Sequence, residues 1–235
     1  MTQKEYALVV AGGKGARFGS ALPKQFLELN GKPILLHTLD AFYRYSSQVE
    51  IILVLPEDQI FAWGDLAKKY SFNRTLTIQP GGLSRFQSVR KGLEKIPGEG
   101  LVAIHDGVRP MVTSDLIAAS FRIAALHHSA ICAVPLKESL RKIDGTVAQK
   151  NGGEEQNTKA VDRSAFRLIQ TPQTFQVGLI KDAYKVPELD DATDDATVFE
   201  RAGHKIFLFE GRYDNIKITT PEDLIVAEAL LRHRL

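Results

Sequence analysis

Glycines and cations, which together bind anions, occur side by side near the start of the chain. Residues 11–19 read AGGKGARFG after a short apolar run, and residues 23–25 read PKQ. Glycines allow backbone N–H groups to approach an anion closely, and Arg17 and Lys24 can neutralise its charge. The segment therefore predicts a polyphosphate site, and a glycine-rich turn with solvated cations is the alternative for this segment taken alone.

Two common nucleotide-binding motifs do not fit the glycine segment. From Gly13, the dinucleotide spacing G-x-G-x-x-G requires a third glycine where the chain has Phe18. A Walker loop requires Gly-Lys followed by Ser or Thr, and the segment lacks that ending. The broken dinucleotide motif disfavours a nicotinamide-dependent oxidoreductase.

A carboxylate follows another apolar run, because residues 101–110 read LVAIHDGVRP. Open α/β sheets bind ligands at the carboxyl ends of their strands, so Asp106 is a candidate ligand for a magnesium ion that also holds phosphates. A helix or turn cap is the alternative for a single aspartate. We interpret Arg109 as a partner of Asp106 or a brace of the loop, and His105 as a packed structural residue.

Two further segments carry polar groups that can bind substrate. Residues 81–88 read GGLSRFQS, where the backbone of Gly82 and the hydroxyl of Ser88 can read a nucleotide base, and Ser84 is interpreted as a helix cap. Residues 214–217 read DNIK, which offers a second carboxylate at Asp214 and a cation at Lys217.

Alternating apolar patterns predict the elements that position these residues. We predict strands at 6–11, 51–55, 76–78, 101–105, 130–135 and 206–209, and helices at 33–45, 58–70, 84–96, 113–127 and 221–232. This order predicts an α/β fold, Rossmann-like, with a mostly parallel open sheet and helices on both faces.

The alternation breaks between residues 136 and 171. Residues 143–147, IDGTV, have the composition of a hairpin turn, and residues 151–155, NGGEE, that of a flexible tip. The stretch has too few apolar residues for its own core. We therefore predict one domain over residues 1–235, with residues 136–162 forming a projecting β-ribbon arm that meets a partner chain.

Composition limits the partners and the compartment. A formal net charge of +2 does not suggest a nucleic-acid-binding surface. The first residues, MTQKEY, lack the long apolar stretch of a signal peptide or membrane span, so we expect a cytoplasmic protein without a membrane partner. The single cysteine, Cys132, excludes a disulfide within the chain and is interpreted as a core residue.

The segments together resemble the 2-C-methyl-D-erythritol 4-phosphate cytidylyltransferase family over nearly the whole length. The matching stretches, in order, are 12–17, 22–26, 81–88, 105–110, 161–163, 170–173, 193–195, 214–217 and 221–224. The resemblance implies a nucleotide-diphospho-sugar transferase-like fold. It also implies transfer of CMP from CTP to 2-C-methyl-D-erythritol 4-phosphate, with Mg²⁺ as cofactor, in the non-mevalonate route to isoprenoids.

The resemblance also implies a role for each matching residue. Catalytic roles, in stabilising the α-phosphate or positioning the acceptor phosphate, fall to Arg17, Lys24, Arg163 and Lys217. CTP-binding positions are Ala11, Gly12, Gly13, Gly15, Gly82, Ser88 and Asp106. Acceptor-binding positions are Arg109, Thr171 and Ser139, the last standing where the family has threonine. Asp106 and Asp214 would bind the metal, and the arm would complete the acceptor site of a homodimer partner.

The chemistry of the two substrates predicts a mechanism. A phosphate oxygen of the acceptor is already a nucleophile at neutral pH, so catalysis consists of aligning two polyanions and offsetting their repulsion. We therefore expect direct in-line attack on the α-phosphate of CTP, with pyrophosphate as leaving group and no covalent enzyme intermediate.

Three alternatives remain open. A ribitol-5-phosphate cytidylyltransferase would differ around residues 139, 163 and 171. A sugar-1-phosphate nucleotidyltransferase, which the AGG start resembles, is disfavoured by residues 214–217 and by the short chain. A non-catalytic nucleotide-binding module would need the glycine loop but not the cations Arg17, Lys24 and Lys217.

Overall fold

The computed structural model describes residues 3–12, 22–148, 154–188 and 192–233. Its strands and α-helices, in chain order, are β1 (Glu5–Val10), β2 (Glu28–Leu29), β3 (Lys32–Pro33), α1 (Ile34–Tyr45), β4 (Glu50–Leu55), α2 (Ile60–Lys69), β5 (Thr77–Pro80), α3 (Arg85–Glu94), β6 (Leu101–Asp106), α4 (Ser114–His127), β7 (Ser129–Pro135), β8 (Leu140–Ala148), β9 (Glu154–Val161), β10 (Arg167–Gln176), α5 (Val177–Ala183), α6 (Asp195–Arg201), β11 (Leu208–Glu210) and α7 (Pro221–Arg232).

A seven-stranded sheet in the order β11-β7-β10-β6-β1-β4-β5 forms the centre of the molecule. Strand β1 pairs in parallel with β4 and β6, β4 with β5, and β7 with β11. Strand β10 runs antiparallel between β6 and β7. The predicted mostly parallel sheet is confirmed, although the sequence patterns did not predict β10.

Helices cover both faces of the sheet, as predicted. Ala7 and Val9 of β1 belong to one apolar cluster with residues of α1, α2 and α4, and Tyr6 and Leu8 belong to the other with residues of α3, α5 and α6. This alternation follows from the two-residue period of a strand. Cys132 of β7 is fully buried in the first cluster, which confirms that it is a core residue.

Three strand ends meet at one edge of the sheet because their registers match. Val10 at the end of β1 pairs with Asp106 at the end of β6 and with Val54 of β4. Beyond β5, the Gly81 N–H donates to the Leu55 carbonyl at 2.8 Å. The loops that carry the predicted site residues therefore leave the sheet side by side.

Helix α7 brings a fourth segment to the same edge. Its first turn has a capping box in which Thr220 and Asp223 bond each other's backbone N–H groups. Just before it, the Ile218 N–H donates to the Val108 carbonyl at 2.9 Å, and the Ile218 side chain is fully buried. Lys217 is thereby held beside the loop that follows β6.

Strands β8 and β9 form an antiparallel ribbon outside the main sheet, which confirms the predicted ribbon. None of its described side chains is buried. The predicted hairpin turn at 143–147 is wrong: these residues lie inside β8, where the register shifts between Ile143 and Thr146 and Gly145 has φ of 130°. An extra residue in one strand produces such a bulge, and glycine tolerates its backbone conformation. The predicted tip at 151–155 lies partly outside the described residues.

In the part of the chain that the structure describes, no helix is long and apolar enough to cross a lipid bilayer.

Candidate active site

A cavity of about 320 Å³ opens where the loops after β1, β5 and β6 leave the sheet. This volume lies in the range of small-molecule sites. The predicted residues that line it are Ala11, Gly12, Lys24, Gly82, Ser88, Asp106 and Lys217. Residues as far apart in the sequence as Ala11 and Lys217 therefore line the same cavity.

Lys24 reaches this cavity from a 3₁₀ turn, Lys24–Phe26. The neighbouring Gln25 fixes that turn, because its fully buried side chain donates to the Ala11 carbonyl at 2.9 Å and also contacts the side-chain oxygen of Gln59. The turn is thus tied to the end of β1, which places a lysine beside the backbone of Ala11 and Gly12.

The turn before α3 requires glycine on steric grounds. A Cβ on Gly82 would lie 2.3 Å from the Cβ of Gln87. The Gly82 N–H donates to the Ser88 hydroxyl at 3.0 Å, and that hydroxyl donates to the Ser84 carbonyl at 2.8 Å. Ser84 caps α3 by accepting from the Gln87 N–H at 3.1 Å, which confirms its prediction as a helix cap.

Asp106 ends β6 with its carboxylate among cations. Oδ2 lies 3.1 Å from Lys217 Nζ and 3.2 Å from Arg109 Nε, and Oδ1 lies 4.0 Å from Arg85 Nε. Burial opposes the charged form, but the three cations favour it more strongly, so the pKa of the Asp106 carboxyl lies well below its ordinary value. Asp106 is therefore an ionised carboxylate at neutral pH.

A second cavity of about 330 Å³ lies on the other side of Asp106. Its lining includes the predicted residues Arg109 and Thr171, together with Gln173 and Asp194. Three residues, Arg85, Asp106 and Lys217, line both cavities, and we call them the shared wall.

The Thr171 hydroxyl is bonded to two successive residues at the end of β6, Asp106 and His105. The Asp106 N–H donates to Oγ1 at 3.1 Å, and His105 Nδ1 lies 3.0 Å from the same oxygen. His105 Nε2 lies 3.3 Å from the Arg109 carbonyl, which only accepts, so Nε2 carries the proton and Nδ1 accepts from Thr171. His105 is fully buried, which lowers its pKa to about 4 and confirms it as a packed structural residue.

Arg109 both pairs with Asp106 and braces its loop, as the sequence suggested. Its Nη1 donates to the Asn215 carbonyl at 2.8 Å. The Asn215 side chain in turn donates to the Thr171 carbonyl at 2.9 Å, and this residue is fully buried. Asn215 therefore connects the segment that carries Lys217 to the second cavity, a role that its place in a loop motif did not reveal.

Some predicted residues lie elsewhere in the described chain. Ser139 lies in the arm and Arg163 directly follows it; both are exposed, and neither lines a cavity. The Arg163 guanidinium contacts the Lys137 carbonyl. Asp214 accepts two hydrogen bonds from Arg212, each of 3.0 Å, and also lies outside both linings. The predicted roles of Arg17, Gly13 and Gly15 lie outside the described residues.

The two predicted magnesium ligands differ in position, because Asp106 lines both cavities and Asp214 lines neither, although the carboxylates of both are paired with cations. Among the described residues, no three carboxylate, imidazole or thiolate side chains are grouped to hold a metal. Mg²⁺ commonly uses one or two carboxylates and takes its other ligands from substrate phosphates and water. The position of Asp106 therefore suits that arrangement, whereas Asp214 lies outside both linings.

Arg85 is a site residue that the sequence reasoning left without a role. Its side chain is 30% exposed and belongs to the shared wall. The signal available in the sequence was a cation one position after the cap of a helix that begins at a glycine turn. Its partner, Asp195, lies 110 positions further along the chain.

A mostly parallel α/β sheet whose strand ends carry two adjoining polar cavities, joined by a carboxylate between cations, fits a transferase that acts on phosphorylated substrates. The family model described as "IspD: 2-C-methyl-D-erythritol 4-phosphate cytidylyltransferase" matches residues 6–233. The chain belongs to this cytidylyltransferase family.

Relatives and solved structures agree with the family. The 2-C-methyl-D-erythritol 4-phosphate cytidylyltransferase of Phocaeicola vulgatus is 43% identical over 226 residues, which cover 96% of this chain and 99% of the relative. That of Porphyromonas gingivalis is 44% identical over 235 residues, covering 98% and 99%. The crystal structure of 4-diphosphocytidyl-2C-methyl-D-erythritol synthase from Anaerococcus prevotii has a TM-score of 0.79 at 30% identity, covering 98% and 99%.

Proposed function

We propose that this chain transfers CMP from CTP to 2-C-methyl-D-erythritol 4-phosphate, giving 4-diphosphocytidyl-2-C-methyl-D-erythritol and pyrophosphate. The observation that carries the proposal is the shared wall, because Asp106 and Lys217 each face both cavities. Two phosphorylated ligands, one in each cavity, meet at that wall. The family to which the chain belongs supplies the identity of the two ligands.

CTP occupies the first cavity in this proposal. The backbone of Ala11 and Gly12 and the turn of Gly82 and Ser88 surround the nucleotide, since close backbone approach suits a base and its phosphates. Lys24 supplies a cation at the α-phosphate. Arg17, with Gly13 and Gly15, completes the phosphate cradle as the sequence predicts.

The acceptor phosphate occupies the second cavity. Lys217 is one of the cations that line it, and its side chain is 40% exposed although its ammonium lies 3.1 Å from Asp106. The Thr171 hydroxyl and the Arg109 guanidinium already bond other protein groups. Their role is therefore to shape the cavity and hold Asp106 and the segment of Lys217 in place.

Direct attack needs no general base from the protein. The second pKa of a phosphate monoester is about 6, so the acceptor oxygen is ionised at neutral pH. The residues of the two cavities align that oxygen with the α-phosphate and offset the repulsion between the two anions. His105 is neutral, buried and bonded at both nitrogens, so it takes no proton in this reaction.

Magnesium is part of the proposal, and Asp106, which lines both cavities, is the protein ligand that we propose for it. When bound, the ion would offset negative charge on the triphosphate. Asp214 stays a predicted second ligand, and its use requires that its carboxylate leave Arg212.

A homodimer explains why Arg163 and Ser139 lie away from both cavities of their own chain. The described side chains of the ribbon are unburied, and Phe166, Leu168 and Ile169 at its base are 43%, 52% and 39% exposed. Burying such apolar side chains against a second chain is favourable. In the dimer, the arm of one subunit brings Arg163 and Ser139 to the acceptor cavity of the other. A cytoplasmic location stays a prediction.

One assay tests the reaction, the base and the acceptor together. Purified protein is given Mg²⁺ and CTP with either 2-C-methyl-D-erythritol 4-phosphate or ribitol 5-phosphate, and pyrophosphate release is measured; ATP, GTP and UTP replace CTP in parallel. We expect release only with CTP and the methylerythritol phosphate. Preference for ribitol 5-phosphate would move the chain to the alternative acceptor, and no release with any pair would refute the proposal.

A further inference from the structure

The Arg85 guanidinium is held by a buried carboxylate. Nη1 donates to Asp195 Oδ1 at 2.8 Å and Nη2 to Oδ2 at 2.6 Å, a bidentate pair. Asp195 is fully buried. Because a guanidinium has five N–H donors in a rigid plane, two bonds to one carboxylate fix the orientation of the whole group.

Asp195 is itself held from two directions. The Tyr184 hydroxyl, which is almost fully buried, donates to Asp195 Oδ1 at 2.6 Å. The start of α6 is tied to the sheet, because the side chain of Gln173 in β10 donates to Asp194 at 2.9 Å and accepts from the Ala196 N–H at 2.8 Å. The carboxylate therefore has little freedom to follow a moving arginine.

Burial and the carboxylate together determine the ionisation of these groups. Burial lowers the pKa of Arg85, but the charge of Asp195 raises it more, and the guanidinium stays charged at every working pH. Burial and the neighbouring carboxylate raise the pKa of Tyr184, so its phenol remains a donor. Arg85 is therefore a permanently charged cation in the shared wall, and Asp195, held by Tyr184, fixes its orientation.

We infer that Arg85 is a cation that binds both phosphorylated substrates, and that Asp195 and Tyr184 are the positioning residues that aim it. The inference rests on the proposed function. Arg85 lines both cavities with a side chain that is 30% exposed, and its Nε lies 4.0 Å from Asp106. Two bonds on one side leave other N–H groups of the guanidinium for phosphate oxygens. A single fixed cation between two polyanions lowers their mutual repulsion.

The first variant is Arg85→Lys, which keeps the charge but loses the planar donors. Lysine cannot hold Asp195 with two bonds and still bind a phosphate, so KM for CTP and for the acceptor should each rise and kcat/KM for each should fall about 10- to 100-fold. A merely structural role would lower the unfolding temperature while leaving both KM values unchanged. Normal KM values for both substrates in this variant would overturn the inference.

The second variant, Tyr184→Phe, tests the positioning of Arg85. Asp195→Asn is less suitable, because it would leave the charge of Arg85 without its buried partner. We expect a fall of about 3- to 10-fold in kcat/KM in the wild-type background, since one neutral hydrogen bond is lost. In the Arg85→Lys background the same change should have no further effect, because Tyr184 acts through Arg85. Equal losses in both backgrounds would overturn the positioning role.

The matched control is Tyr45→Phe. Its hydroxyl also donates to a carboxylate, that of Glu5, at 2.8 Å, but it lies on α1 and lines neither cavity. It should leave kcat and both KM values unchanged. If the wild-type chain releases no pyrophosphate, the proposed function fails; if the wild type turns over and Arg85→Lys does so equally well, the present inference alone fails.

Discussion

Lys217 Nζ lies 3.1 Å from Asp106 Oδ2, which joins the segment before α7 to the end of β6. The pair stands in the wall between two cavities, so the ammonium is within reach of a ligand in either one. In the proposed reaction, a phosphate that enters the second cavity would compete with the carboxylate for the lysine. The structure pairs the ammonium with a carboxylate of the site, and substrate binding would exchange that partner for a phosphate.

Loss of a cation at the triphosphate should slow the reaction strongly. We expect Lys24→Ala and Arg17→Ala each to lose about 2–4 kcal/mol of transition-state stabilisation, roughly a 30- to 1000-fold fall in kcat. The control is Lys185→Ala, which removes a surface ion pair with Asp182. Steady-state pyrophosphate release measures all three, and near-normal turnover in both site variants would contradict the assignment.

Arg163→Ala should impair use of the acceptor and leave CTP binding largely intact. If the arm serves the other subunit, mixing this variant with Lys24→Ala restores one complete site in each mixed dimer, because an intact arm then meets an intact CTP cavity. With random pairing, half of the dimers contain one subunit of each variant, and each of these has one complete site out of two. About one quarter of wild-type activity should therefore return after joint refolding or coexpression.

Two results would count against this arrangement of the arm. If Arg163 served its own subunit, no mixture would recover activity. Sedimentation of a fully active monomer would exclude the dimer.

Buried His105 should make the protein less stable in mild acid. Its pKa is lowered by burial to about 4, against about 6.5 when unfolded, so between these values the unfolded chain binds a proton that the folded one does not. The stability that this difference contributes is complete above pH 6.5, and about 3 kcal/mol is lost as the pH falls to 4. Urea unfolding at pH 7.5, 6, 5 and 4.5 measures it.

The matched pair of variants for this measurement is His105→Gln and His37→Gln. The pKa of His37 is also lowered, mainly by burial, so His37 likewise makes the folded chain less stable as the pH falls. Asp106 contributes at lower pH: its lowered pKa gives stability that is present above about 3.9 and lost below it. If the unfolding free energy of His105→Gln fell between pH 6.5 and 4.5 as steeply as that of the wild type, another group would be responsible for the pH dependence.

Magnesium dependence separates the two predicted carboxylate ligands. Chelation with EDTA should stop pyrophosphate release, and added Mg²⁺ should restore it. Asp106→Asn should raise the Mg²⁺ concentration for half-maximal activity about tenfold or more, since it weakens a charged oxygen ligand. A similar rise in Asp214→Asn is what the sequence-based assignment predicts; an unchanged requirement there would leave Asp106 as the protein ligand.

Local patterns predicted the parallel part of the fold but not its antiparallel strand. Strands such as β1 and β6 are nearly continuous apolar runs, which is typical of strands buried on both faces. Strand β10 reads RLIQTPQTFQ, with a proline and polar side chains, and it is a strand because β6 and β7 pair with it. Helices α5 and α6 have only seven residues each, too few for a periodic pattern.

The residues of the candidate site also fall into a part that the sequence predicts and a part that it does not. Asp106 directly follows a predicted strand, Gly82 belongs to a glycine turn, and Lys24 comes shortly after the first glycine segment, so the rule for strand ends brings them together. The pairing of Arg85 with Asp195 depends on how α6 is placed relative to α3, with α5 packed against both. No spacing in the sequence encodes that contact, and only the folded chain reveals it.

Cys132 has a practical consequence for studying the arm. It is the one cysteine of the chain, it is fully buried, and burial raises the pKa of its thiol to about 12. Thiolates rather than thiols react with maleimides and spin labels, so Cys132 is inert towards them at neutral pH. Lys142→Cys, at an exposed position of β8, therefore introduces a single reactive thiol into an otherwise native chain, and a label there would report the distance between the two ribbons of the proposed homodimer.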